Sequence, residues 1–169
     1  MCVLFLYVSR GTQIVRSDYM IEKYMDIAIK EAEKAYKRGD VPVGAVIIKD
    51  NKIIAKSYNK KQKKHISTRH AEIEVIEKAC KKLKSWYLDD CEMYVTMEPC
   101  LMCAGAIIQS RIKTIYYGVK NEKFGCDESI EKILNNDKMN HHVTVYSGYK
   151  QEKIEKLLKD FFKQMRNNK

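Results

Sequence analysis

Apolar side chains fall near helical spacing across residues 19–38, at Met20, Tyr24, Ile27, Ala28, Glu31 and Ala35 with one polar exception, and Gly39 stops the run. The next two segments, VPVGAVIIK and KIIAKSY, are short and β-branched. They flank Asp50-Asn51, so they predict a hairpin. Ser67 or Thr68 is the expected cap of a second helix running to about Lys84, with Ala71, Val75, Ile76, Ala79 and Leu83 on its apolar side. CEMYVTM predicts a third strand. Pro99 suits the first position of a helix that runs to about 109. IKTIYYGV predicts a fourth strand, a short helix is expected near Ser129–Leu134, and VTVYSG predicts a fifth strand. Ile154, Leu157, Leu158, Phe161, Phe162 and Met165 line one face of a last helix.

The order αββαβαβαβα requires parallel crossovers after the hairpin. An α/β fold follows, with a mixed five-stranded sheet covered by helices on both faces. Sites in such sheets lie where strands run out into helices, and both 59–70 and 96–100 are segments of that kind. Residues 1–18 match no periodic template. They read as an N-terminal extension with VLFLYV as a candidate strand, and 19–169 reads as one domain.

Charge adds a direction to this frame. The chain of 169 residues carries 32 basic and 22 acidic side chains, a formal net charge of +10. That favours a polyanionic partner by steering its approach, without selecting one. The six cysteines do not form the pattern of a disulfide scaffold, because a chain this long has no need of staples. MCVLFLYVSR lacks a basic leader and is too short to span a bilayer, and no other stretch is long enough. The expected setting is the cytoplasm, with no membrane partner.

The chemistry concentrates in two short motifs. Cys100 and Cys103 are three apart at a predicted helix start, where unpaired N–H groups and the helix dipole favour thiolates. Alone, the C-x-x-C is open to metal, redox and core readings. Of the four histidines, His70 opens another predicted helix and is followed by Glu72. One imidazole and two thiolates make a three-ligand zinc set with a fourth position left for water, the pattern of a catalytic site. A fourth ligand from Cys91 or Cys126 would close it into a structural one, but neither has a spacing partner.

H-x-E together with P-C-x-x-C resembles the signature of zinc deaminases acting on nucleobases. The longer runs narrow the likeness: DVPVGAVI at 40–47, Asn59, TRHAE at 68–72, YVTMEPCLMCAGAI at 94–107, SRI at 110–112, MNH at 139–141 and DFF at 160–162. Over Tyr24–Met165 the chain resembles the bacterial tRNA adenosine deaminase family, which makes inosine from a wobble adenosine. The resemblance implies the three-layer cytidine deaminase-like fold, one zinc ion per subunit, a homodimer and a tRNA anticodon stem-loop as partner. It makes His70, Cys100 and Cys103 the zinc ligands and Glu72 the proton shuttle, with zinc-bound water as nucleophile. It gives Asn59, Ala71, Val41 and Val43 to the nucleoside pocket and His141 to the RNA or dimer surface. Lys60, Lys61, Lys63, Lys64, Phe124 and Arg166 are RNA-contact candidates. Glu98 is expected to be a strand-to-helix hinge residue rather than a second acid.

Several positions depart from the family. Ser67-Thr68-Arg69 replaces Pro-Thr-Ala, Gln109 replaces a histidine, Asn121 replaces an aspartate, and EKFGCDE at 122–128 is bulkier and more acidic. These bear on RNA grip and dimer contacts, not on the ligands. Two other functions compete: deamination of a free guanine, cytosine or nucleoside, and zinc-stabilised RNA binding without catalysis. Indifference to RNA and salt marks the first, and a closed four-ligand site marks the second.

Overall fold

The computed structural model describes residues 17–167. The candidate strand VLFLYV and most of the 1–18 extension lie outside the described residues. The first helix, α1 (Asp18–Tyr36), buries the expected Tyr24, Ala28, Glu31 and Ala35, but Met20 and Ile27 are only half-buried and Ile21, Met25, Ile29 and Ala32 complete the buried face instead. Strands β1 (Gly44–Lys49) and β2 (Lys52–Tyr58) pair antiparallel. Asp50 and Asn51 join them with φ of 49° and 61°. Both angles are left-handed, as a two-residue turn matched to strand twist requires.

Four lysine-rich residues form one helical turn, α2 (Lys61–Lys64), and α3 (Ala71–Leu83) follows. Then come β3 (Cys91–Met97), α4 (Leu101–Gln109), β4 (Thr114–Val119), β5 (Thr144–Tyr146) and α5 (Gln151–Asn167). The sheet order is β2-β1-β3-β4-β5. β3, β4 and β5 run parallel and β1 antiparallel to β3, so the sheet is mixed as expected.

Alternation along the strands divides the core in two. Ala45, Ile47, Met93, Val95, Ile115 and Tyr117 face α3 and α4. Val46, Ile48, Tyr94 and Tyr116 face α1 and α5, and Val119, at the very end of β4, joins them out of phase. The result is three layers, helices over both faces of one sheet.

Three local expectations are corrected. No helix forms at 129–134. The N–H groups of Ser129, Ile130 and Ile133 bond instead to the Glu98 carboxylate, Gly125 O and Cys126 O. α3 is not capped by Ser67 or Thr68. Its N-cap is His70, extended at φ −77° and ψ 156°. Likewise α4 begins after Cys100, which is held extended at φ −76° and ψ 171° by a bridge to Gly125, so Pro99 precedes the cap. The single turn of α2 has no sequence signal, since its lysines carry no apolar period. Buried Asp40 creates it by accepting the N–H groups of Gln62 (2.6 Å) and Lys63 (3.2 Å).

Candidate active site

One end of the sheet gathers the segments at 40–47, 59–70 and 94–107. β3 and β4 run out there together, with Met97 beside Val119. β1 starts there, and Gly44 N–H donates to Thr96 Oγ1. β2 ends there, and Asn59 N–H donates to Val43 O at 2.9 Å. The starts of α3 and α4 reach the same edge over the same face.

His70 and Cys100 are therefore two helix caps, and Cys103 lies in the first turn of α4. His70 Nδ1 is 3.7 Å from Cys100 Sγ and 3.6 Å from Cys103 Sγ. All three ligand atoms lie within 4.8 Å of one another. A tetrahedral zinc with ordinary Zn–N and Zn–S lengths needs N···S edges of about 3.5–3.6 Å. Both N···S edges match that ion. Among the described residues this is the one cluster of this kind.

The thiols differ in acidity. Donation from the Cys103 thiol, with His70 beside it, brings Cys100 down to about 4. Cys103 is pushed up by its bond to Cys100 and by burial. His70 is raised, first by its hydrogen bond with Cys100. Negative charge thus concentrates on Cys100 at a helix start, where a cation would complete the set.

Glu72, the second residue of α3, is 3% exposed. Burial pushes its carboxyl up to about 7. Its Oε2 is buried without a hydrogen-bond partner among the described residues. A buried orphan oxygen beside a ligand cluster calls for a polar guest. Ala71 is fully buried next to it. Asn59 and Val43 are buried and Val41 half-buried at the same edge.

The basic candidates separate. Lys61, Lys63 and Lys64 are exposed on α2. Lys60 is not free: its ammonium is held by Glu74 and lies 5.3 Å from the Tyr58 ring centroid. Arg69 joins the same cluster through Glu74 (3.2 Å) and Glu77 (3.0 Å). With Lys60 N–H donating to Arg69 O, these bonds close the 60–69 loop between Asn59 and His70. Phe124 is 66% exposed in the loop after β4, and Arg166 is exposed near the end of α5. His141 is not brought to the ligands. Its Nε2 lies 2.8 Å from Ile112 O, before β4 and thus at the opposite end of the sheet.

Two residues that shape this edge, Asp40 and Glu74, do not emerge from sequence reasoning. Glu74 has a signal: an acidic residue between Ala71 and Val75 interrupts the buried side of α3. Asp40 has none, because its partners lie more than twenty residues away. Glu98 does more than a hinge requires. Its carboxylate accepts the N–H groups of Asn121 (2.9 Å), Asp127 (3.0 Å), Glu128 (2.9 Å) and Ser129 (3.1 Å), and the Ser129 hydroxyl.

The family described as MafB19-like deaminase matches residues 20–166. The tRNA-specific adenosine deaminase of Bacillus subtilis strain 168 is 41% identical over 148 residues, covering 88% of this chain and 92% of the relative. A solved structure from work on A-to-I editing by tRNA:A34 deaminases at the wobble position of transfer RNA is 39% identical with a TM-score of 0.78. It covers 80% of this chain and 99% of that one. The guanine deaminase of Bacillus subtilis is 32% identical with a TM-score of 0.58, over 86% of this chain and 93% of that one.

Proposed function

This chain belongs to the tRNA-specific adenosine deaminase family, whose cytidine deaminase-like fold it shares, and from that premise we propose that it hydrolyses adenosine to inosine at the first anticodon base of a tRNA. The observation that carries the reading is the juxtaposition of a zinc-sized His70–Cys100–Cys103 cluster with the unpartnered Oε2 of buried Glu72. His70, Cys100 and Cys103 would hold a zinc ion, which would supply the Lewis acidity that makes water nucleophilic near neutral pH.

The rest falls to the chain's own groups. The target base leaves its stack and enters the pocket edge at Asn59, Val41, Val43 and Ala71. Water oxygen bonds to C6 of the purine. Glu72 takes the proton released and delivers it to N1. Glu72 then moves a second proton to the 6-amino group, the C6–N bond breaks, and ammonia departs. Inosine and ammonia balance adenosine and water. Burial suits Glu72 to this task, since a carboxyl brought near neutrality both accepts and releases a proton.

The exposed Lys61, Lys63 and Lys64 supply positive charge for the anticodon loop near Asn59. The proposal includes one zinc per subunit, a homodimer and a cytoplasmic setting. Among the described residues no helix is long and apolar enough to cross a membrane.

Free guanine is the competing substrate, favoured by the 32% identity to a guanine deaminase. The higher identity to the tRNA-acting relatives and the net charge of +10 support the RNA substrate. The test is incubation of zinc-loaded protein with a tRNA bearing A at the first anticodon position, followed by nucleoside analysis. Inosine at that position is expected. Turnover of free guanine with no inosine in the tRNA would reverse the assignment.

A further inference from the structure

Glu98 immediately precedes the Pro-Cys pair and is only 1% exposed. A buried carboxylate is costly unless its oxygens are fully bonded. Here Oε1 accepts three N–H groups, from Asp127, Glu128 and Ser129, and Oε2 accepts Asn121 N–H and the Ser129 hydroxyl. Such charge-assisted bonds are stronger than neutral ones. Every donor belongs to one segment, 121–129.

That segment is also tied to the metal-binding turn. Cys126 N–H donates to Pro99 O at 2.9 Å, and Gly125 bridges Cys100. Gly125 passes so close to Glu98 that a Cβ there would lie 2.3 Å from the carboxylate carbon. Between the anchored ends, Phe124 projects into solvent.

We propose that Glu98 is a positioning residue: its carboxylate folds the 121–129 loop against Pro99–Cys100 and so presents the loop, with Phe124 outermost, to the bound RNA. This deepens the tRNA reading given above and rests on it. His70, Cys103 and Glu72 are set by the starts of α3 and α4, and a bound zinc would hold Cys100 to them in place of its bridge to Gly125. Loss of the Glu98 bonds therefore loosens the hold on substrate more than it slows the chemical step, and the signature is a rise in KM with kcat nearly kept.

The test compares wild type with Glu98→Gln in the full chain, zinc-loaded. The amide places N–H donors against N–H donors, so the isosteric change breaks the cradle. Hydrogen exchange at Asn121, Asp127, Glu128 and Ser129 is expected to quicken at least tenfold while α3 and α4 stay protected and zinc stays stoichiometric. KM for an anticodon stem-loop rises about tenfold, and kcat changes by threefold or less. Gly125→Ala sets a methyl group against the Glu98 carboxylate, which must swing away from its donors, and is expected to give the same exchange pattern, which keeps the claim open to test should Glu98→Gln fail to fold. Unchanged exchange in the loop overturns the proposal. So does exchange that quickens throughout the chain, which marks a merely structural residue, or a fall in kcat at constant KM. If wild type makes no inosine, the functional reading fails, and the exchange pattern still decides whether Glu98 holds the loop.

Discussion

The chemistry proposed for this chain depends on what single side chains are left to do. Glu72 keeps one buried oxygen unbonded while its neighbours are committed. Glu72→Gln preserves size and all three ligands, so zinc content stays at one per chain while inosine formation falls about 10²–10⁴-fold. Metal content and rate measured on one sample check this, and a retained rate removes Glu72 from proton transfer. Cys100→Ala, by contrast, removes a ligand that ties the start of α4 to His70 at the start of α3. It is expected to lose zinc and to lower the unfolding midpoint. Chelation of wild-type protein should do the same, and added zinc should restore the midpoint in wild type alone. Glu74 is the residue-scale counterpart outside the chemistry. It holds Lys60 and Arg69 from a nearly buried position. Glu74→Ala leaves two cations without their acceptor and is expected to cost about 1–3 kcal/mol by urea unfolding. The His70–Cys100–Cys103 cluster is legible in the sequence because covalent spacing fixes Cys100 relative to Cys103 and His70 relative to Glu72. Glu74 and Asp40 are not, because their role exists only once the 60–69 loop has folded back on α3 and on the connection between α1 and β1.

Elements show where pattern suffices and where it fails. The buried side of α3 follows from spacing, and the Asp50-Asn51 turn follows from backbone preference, whereas on α5 only Ile154 and Phe161 of the expected stripe are buried and Phe162 and Met165 are exposed. No helix forms at 129–134 because Ile133 N–H, which a helix would pair with Ser129 O, bonds to Cys126 O instead. α2 forms for the converse reason, with Asp40 supplying acceptors that its lysines cannot. Two glycines separate close packing from mere permissiveness. A Cβ on Gly44 would lie 2.1 Å from Ala28 O and 2.4 Å from Ala32 N, both backbone atoms of α1. Gly44→Ala must push α1 off β1 and is expected to cost about 3 kcal/mol or more. A Cβ on Gly105, inside α4, meets nothing within 4 Å. Gly105→Ala is expected to stabilise the chain by about 0.5–1 kcal/mol through the lower entropy of the unfolded state. Equal urea midpoints for the two variants would contradict this account of α1–β1 packing.

At the scale of the molecule, the sheet separates stability from function. Its α1–α5 face is filled by stacked tyrosines, with Tyr94 and Tyr116 centroids 4.6 Å apart and Tyr116 and Tyr146 5.1 Å apart, on the side away from the ligand cluster. Its other face delivers two helix starts to one edge, as the strand order requires. The net charge of +10 is legible in composition, but its distribution is not. Many lysines are committed within the fold: Lys60 to Glu74, Lys78 to Ser57 and the Lys56 carbonyl, Lys150 and Lys153 to α1 carboxylates. Lys61, Lys63 and Lys64 stand exposed on a turn fixed from beneath by Asp40. Replacing these three by alanine therefore tests the electrostatic part of recognition without disturbing the core. The thermal midpoint should stay within about 1 °C, since exposed lysines on such a turn contribute little to stability. Affinity for an anticodon stem-loop should fall. The slope of log affinity against log salt should shrink by about 0.7 for each phosphate of the single-stranded loop that is no longer neutralised. An unchanged slope would mean that the polyanion docks elsewhere, and the charge around α2 would then have no part in choosing RNA over a free base.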